Sequence, residues 1–332
     1  MLTSVFELRK RIIEAYGKYE YIVVPLFKFA VSFLLIRLIN NHIGFNLELT
    51  NTLLGVIIAL ICTLVPTNFI AAIMVMIILA HLYTLSLETM FVGAVLFLLM
   101  FLLYFRFSPK DTIMVLLVPL AFTCGLEYAV PVVAGLLFAP GASVGIGFAV
   151  VVVKFLAYVE QNAILLSNSE ISPETVENFR ALIDALMHDR ATWIMAGAFA
   201  AAVIVVYFIR RLETAHSWTI AIIAGTVVEV FILLFGDMQY DTNIDLGTIA
   251  VSILLALVVE LLVEFFCFMV DYTRIESVQF EDDDYYYYVK AVPKVTVSDS
   301  VRTVKTINTS ETSGLREQLS RRTAGESGGE SR

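Results

Sequence analysis

Ten stretches of this chain are dominated by apolar residues, and short breaks separate them. They lie near 22–39, 52–66, 68–84, 88–106, 112–126, 128–139, 143–160, 192–209, 217–236 and 246–270. Hydrocarbon offers backbone N–H and C=O groups no partner, so only helices and closed barrels cross it. The runs are continuous, whereas barrel strands alternate. The pattern therefore predicts an all-α integral membrane protein with about ten transmembrane segments. Composition points the same way. Hydrophobic residues make up 59% of the chain and charged residues 16%, against roughly 25% charged in soluble domains. A compact soluble domain cannot keep that much apolar surface from water.

Four of the segments are short. Residues 52–84 must supply two crossings, and so must 112–139. A 14-residue helix rises only about 21 Å, less than a core roughly 30 Å thick. The first pair breaks at Pro66-Thr67-Asn68. The second breaks near Cys124-Gly125-Leu126-Glu127, with Pro119 and Pro131 on either side, and proline interrupts a helix. Each pair reads as a re-entrant hairpin or as two short, tilted helices. A shift of 54 residues aligns 80–105 with 134–159, matching Ala80 to Ala134, Gly93 to Gly147, Phe101 to Phe155 and Tyr104 to Tyr158. Units 52–106 and 112–160 would then form an inverted repeat, because each holds an odd number of crossings. Interrupted helices at matching positions of inverted repeats point to secondary transporters. A plain helical bundle is the alternative.

The charges suggest an orientation. Arg106, Lys110, Arg210 and Arg211 fall on one side; of the loops on the other, 40–51 and 237–245 contain no Lys or Arg and 161–191 contains only Arg180 and Arg190. The positive-inside rule then places both termini in the cytoplasm. Residues 1–20 read as an amphipathic cytoplasmic lead-in carrying Val5, Leu8, Ile12, Tyr16 and Tyr19, uncleaved, ahead of a transmembrane domain over 21–271. The outer loop predicts an amphipathic helix over 172–190. Ser172 is its N-cap, Pro173 takes the first position, and Val176, Phe179, Ile183, Leu186 and Met187 form its stripe. Such a helix rests on the membrane or gates a cavity. Residues 272–297 read as a short β-prone segment and 298–332 as a disordered tail. The net charge is −9 and no basic surface accumulates, which argues against a nucleic-acid partner.

The candidate chemistry begins at AVVVVKFLAYVEQ, residues 149–161. A lysine central in a span costs about 2.5–3.5 kcal/mol on insertion scales, so Lys154 should face the bundle interior and have a partner. Glu229 is the first choice and Glu260 the second. Glu260 and Glu264 stand four apart on one helix face. Glu127 lies near the second hairpin tip, while Thr67 and Asn68 offer polar side chains at the first. These six, Lys154, Glu229, Glu260, Thr67, Asn68 and Glu127, are the expected pathway residues; for the lysine pair, a role in helix packing stands beside one in transport. Lys28, Arg37 and Glu88 are expected to snorkel and His81 to be interfacial. The cysteines Cys62, Cys124 and Cys267 match no zinc spacing, and no cofactor or metal is expected. There is no HExxH, GxSxG or P-loop, so an enzyme is the weakest reading.

Near the C-terminus the stretch VQFEDDDYYYYVKAVPK resembles the end of uncharacterised multipass membrane proteins from clostridial-type bacteria. The resemblance implies a bacterial plasma membrane and supplies no activity or site residue. Two functions remain open. One is a transporter or permease for a small solute or ion, with its site at the broken helices. The other is a non-catalytic scaffold or accessory subunit of an envelope complex, acting through a protein partner at the Tyr-rich tail. The lipid bilayer is a partner in both.

Overall fold

The computed structural model of the chain describes residues 2–107, 112–167, 175–214, 216–240, 242, 246–267, 276–281 and 286–291. Lys110, Ser172, Pro173 and the 298–332 tail lie outside the described residues. The chain divides into two units, Arg11–Met269 and Met1–Lys10 with Val270–Arg332. In the second unit, β1 (Glu276–Glu281) pairs antiparallel with β2 (Tyr286–Ala291), running from Glu276 opposite Ala291 to Glu281 opposite Tyr286.

The larger unit is helical, and its helices begin and end close to the breaks read from the sequence. Helix α1 (Leu2–Ile43) leaves helical geometry at Tyr19, where φ is −113° and ψ 17°. That residue divides the basic lead-in from the apolar part. Asn51 caps α2 (Thr52–Leu64), its side chain accepting from Leu53 N at 2.9 Å. Val65 is extended, with ψ 157°, as the residue before a proline should be, and α3 (Thr67–Leu85) begins just past Pro66. Then come α4 (Leu87–Phe107), α5 (Thr112–Cys124), α6 (Ala129–Leu137), α7 (Ala142–Gln161), α8 (Ala163–Ser167) and α9 (Thr175–His188). Three long helices follow: α10 (Arg190–Arg210), α11 (Ser217–Tyr240) and α12 (Leu246–Cys267). Among the described residues, six helices are long and apolar enough to cross a membrane, lying in α1, α3, α7, α10, α11 and α12.

Close approach of α6, α10 and α11 depends on small residues. A Cβ at Gly225 of α11 would stand 2.3 Å from Val206 Cγ2, and one at Gly135 of α6 would stand 2.7 Å from Val206 Cβ. Gly236 meets Ile194 in the same way. Membrane helices gain little from hydrophobic burial against one another, so such backbone contact supplies much of their packing. Helix α9 packs on α4 and buries Leu182, with Phe179 and Leu186 partly buried against the core. Ile183 and Met187, expected in the same stripe, are exposed. The buried line thus runs through Leu182, one position before Ile183.

The two expected repeat units differ. A 54-residue shift carries α4 onto α7, of 21 and 20 residues, and their first helices both have 13. The middle helices do not correspond, because α3 has 19 residues and α6 only 9. Helix α3 is long enough to cross by itself, so only the second pair is short in both arms.

Candidate functional site

The turn between α5 and α6 is built by Gly125, whose φ is +67°, a left-handed conformation that glycine adopts without steric penalty. Leu126 N donates to Ala121 O at 2.9 Å, closing the last turn of α5 in a Schellman-type cap. The chain then reverses, and Ala129 N and Val130 N reach back to Leu126 O and Glu127 O at 3.1 and 3.3 Å. At the other end of α6, Arg210 donates to Leu136 O and, at 2.9 Å, to Phe138 O. Its guanidinium satisfies carbonyls that a helix end leaves open.

These anchors fix the depth of the tip. Tyr128 is 3% exposed and packs edge-on against Phe199, ring centroids 5.8 Å apart. Phe199 stands midway along α10, so the α5–α6 hairpin ends halfway through the bundle. Glu229 is likewise midway along α11 and fully buried. Tyr128 lies within electrostatic reach of both Glu127 and Glu229, and Glu229 within reach of Glu260. A Cβ added to Gly125 would stand 3.6 Å from Ser252 Oγ, which brings α12 to the same place.

Helix α12 faces α11 through two threonines. Thr219 donates to Glu264 Oε1 at 2.6 Å. Thr226 Oγ1, 3.0 Å from Ile222 O, also stands 3.4 Å from Glu260 Oε2. Glu260 Oε1 and both carboxyl oxygens of Glu229 are buried without a hydrogen-bond partner, as is Glu127 Oε2. Buried polar atoms are nearly always satisfied in native proteins, so unpartnered ones call for an explanation. A carboxyl pair in a dry interior is neutral only when it carries protons or when a cation sits against it.

Lys154 does not join this pair. Its ammonium lies 5.6 Å from the centroid of the Phe122 ring, and its acidic neighbour is Glu127, within electrostatic reach but outside salt-bridge contact. It stands about 18 Å from the start of α7 and about 10 Å from its end, off the centre of the helix, as the bounds 143–160 also have it. The partner expectation therefore changes: Lys154 stands by Phe122 and within electrostatic reach of Glu127, while Glu229 lies within reach of Glu260. Helix register explains the difference: Lys154 is half-buried, and the direction a side chain faces leaves no mark in hydropathy.

Thr67 and Asn68 belong elsewhere. Thr112, the first residue of α5, donates to Asn68 Oδ1, so the first break sits beside the start of α5. The second sits past its end, about 20 Å away along 13 residues, and the two tips do not converge. Lys28, expected to snorkel, donates instead to Val65 O at 3.1 Å and satisfies the end of α2. His81 is fully buried. Its Nδ1 accepts from Asn46 N at 3.2 Å, so Nε2 carries the proton toward Asn40 Oδ1 at 3.1 Å.

Sequence reading missed Tyr128, Thr226 and Arg210 as members of the arrangement. Tyr128 follows the breaker that drew attention to Glu127, and Thr226 lies three residues before Glu229 on the same helix face. Both positions were within reach of periodicity. The bond from Arg210 to α6 spans more than 70 residues and left no local signal. No family model, no curated protein and no solved structure matches this chain.

Proposed function

We propose that this chain is a multipass membrane permease moving a small solute or ion, with a proton or cation handled at Glu229 and Glu260. One observation carries the reading: a hairpin that stops halfway through the bundle brings Tyr128, next to Glu127, within electrostatic reach of a buried carboxyl with no hydrogen-bond partner. Broken backbone at membrane depth is tolerated where it is buried in protein or lines a water-filled path. Ionisable groups there mark proton and ion routes by default. In this reading α5 and α6 are a re-entrant hairpin that enters and leaves at the Arg210 end. Ten apolar helices fill the membrane, and the basic residues place both termini in the cytoplasm. The tail resemblance assigns a bacterial plasma membrane, and no catalytic role is assigned to any residue.

Thiol accessibility in intact cells tests the reading. In a background lacking Cys62, Cys124 and Cys267, single cysteines replace Glu127, Glu229 and, as a control, the fully buried Val132 of α6. Labelling at 127 and 229 by a small water-soluble thiol reagent, with protection at 132, is expected of an aqueous route. Protection at all three would mean a sealed bundle and turn the search toward a scaffold acting through its tail.

A further inference from the structure

A second feature lies on a different face of α7 and does not depend on the transport reading. Between α1, α3, α4, α5 and α7 runs a cleft of about 310 Å³, at the small end of the roughly 300–1,000 Å³ typical of ligand pockets. Its walls follow helical spacing: Leu35, Ile39 and His42 on α1, and Val152, Leu156 and Glu160 on α7. The stripe on α7 from Ala149 to Glu160 is about 16 Å long.

The ionisable lining residues stand at one end. The inner lining, including Met74, Met100 and Val152, is apolar and buried. The mouth holds His42 and Glu160, both exposed, with His42 Nδ1 2.8 Å from Glu160 Oε2; Thr123, beside the α5–α6 tip, is a further polar lining residue. The same end carries the Asn40–His81 bond, so polar side chains of α1, α3 and α7 form one layer where those helices finish. Water would find almost no partners in the inner part, and a void of this size is unusual in a packed interior. In a membrane, the abundant molecule with an apolar tail and a polar end is lipid.

We infer that this cleft holds one acyl chain of a phospholipid whose headgroup carries an amine. Glu160, with His42 Nδ1 2.8 Å from its Oε2, accepts from the ammonium. The tail lies along Leu156 and Val152 and ends near Met74 and Met100.

The test uses the full-length protein in detergent, with about one lipid per chain. The probe is phosphatidylethanolamine bearing a diazirine near the end of one acyl chain; after irradiation, adducts are mapped by peptide mass spectrometry. Adducts at Met74, Met100 and Val152 should be at least threefold denser than at Leu254 and Val258, exposed apolar residues of α12. Ala71→Phe fills the inner cleft, and Ala157→Leu narrows it at a partly exposed position that folding tolerates. Each should reduce cleft adducts at least threefold, as should moving the same tail to phosphatidylglycerol. Adducts no denser in the cleft than on α12, or unchanged by Ala157→Leu, would overturn the assignment. Equal labelling by the two lipids would overturn the amine headgroup.

Discussion

At the scale of single residues, Gly125 shows how a backbone angle can matter more than a contact. An added Cβ would meet Ser252 Oγ at 3.6 Å, ordinary van der Waals separation, so space is not the obstacle. The obstacle is φ of +67°, which costs an ordinary L-residue about 1–2 kcal/mol. Gly125→Ala should lower stability by about that amount. Gly197→Ala is the contrast: it sits within α10, and nothing lies within 4 Å of its added Cβ. It should be neutral or stabilising by about 0.5–1 kcal/mol through helix propensity. Thermal melts of both variants in one detergent check the pair, and equal losses would show that φ is not the controlling quantity. Glycine at the break was legible in the sequence, and so was the acidic residue beside it. The partner of Lys154 was not, because hydropathy reports how apolar a segment is but not which neighbour each side faces. Glu229 and Glu260 were both named, yet their proximity depends on how α11 and α12 are rotated, and Thr226 and Thr219 on α11 mark that rotation.

At the scale of elements, the short helices stand because cations from other helices satisfy their ends. Lys28 reaches Val65 O at the end of α2, and Arg210 reaches two carbonyls at the end of α6. Positive charge at a helix C-terminus also complements the macrodipole. A hydrogen bond to a charged group contributes about 1.5–3 kcal/mol, and two donors in fixed geometry are something guanidinium provides and ammonium does not. Stability should therefore fall in the order wild type, Arg210→Lys, Arg210→Met, with the last losing about 1.5–3 kcal/mol. Chemical denaturation followed by tryptophan fluorescence reads this through Trp193 and Trp218 on α10 and α11. An Arg210→Met protein as stable as wild type would show that water or lipid satisfies α6 equally well. Helix boundaries were legible because proline, glycine and cap residues act on their immediate neighbours. The unequal middle helices, α3 and α6, were legible in part, since the segments 68–84 and 128–139 already differ in length. The breakers Pro140-Gly141 end the second segment locally, while the contacts of Arg210 and Tyr128 that hold the two ends of α6 left no local signal.

At the scale of the whole molecule, the bundle places its least comfortable groups where its backbone is least regular. A chain selected for packing alone would put leucine at 229, since removing a buried unsatisfied polar group recovers about 1–3 kcal/mol and apolar replacement of buried charge is often stabilising. Retaining a carboxyl beside a hairpin tip is the pattern expected when stability is exchanged for function. Phe122 connects this site to the lipid cleft, lining the cleft while carrying the Lys154 ammonium over its ring. Glu229→Leu should thus melt higher than wild type while losing ion or proton flux in dye-loaded proteoliposomes. Glu229→Gln should lose flux too, with a smaller change in melting, because the amide keeps the size and polarity of the acid but cannot exchange a proton. If Glu229→Leu melts lower, the carboxyl holds the bundle together and Glu229 is a structural partner of Glu260. A higher melt with unchanged flux would remove Glu229 from the pathway and leave its burial without a functional account.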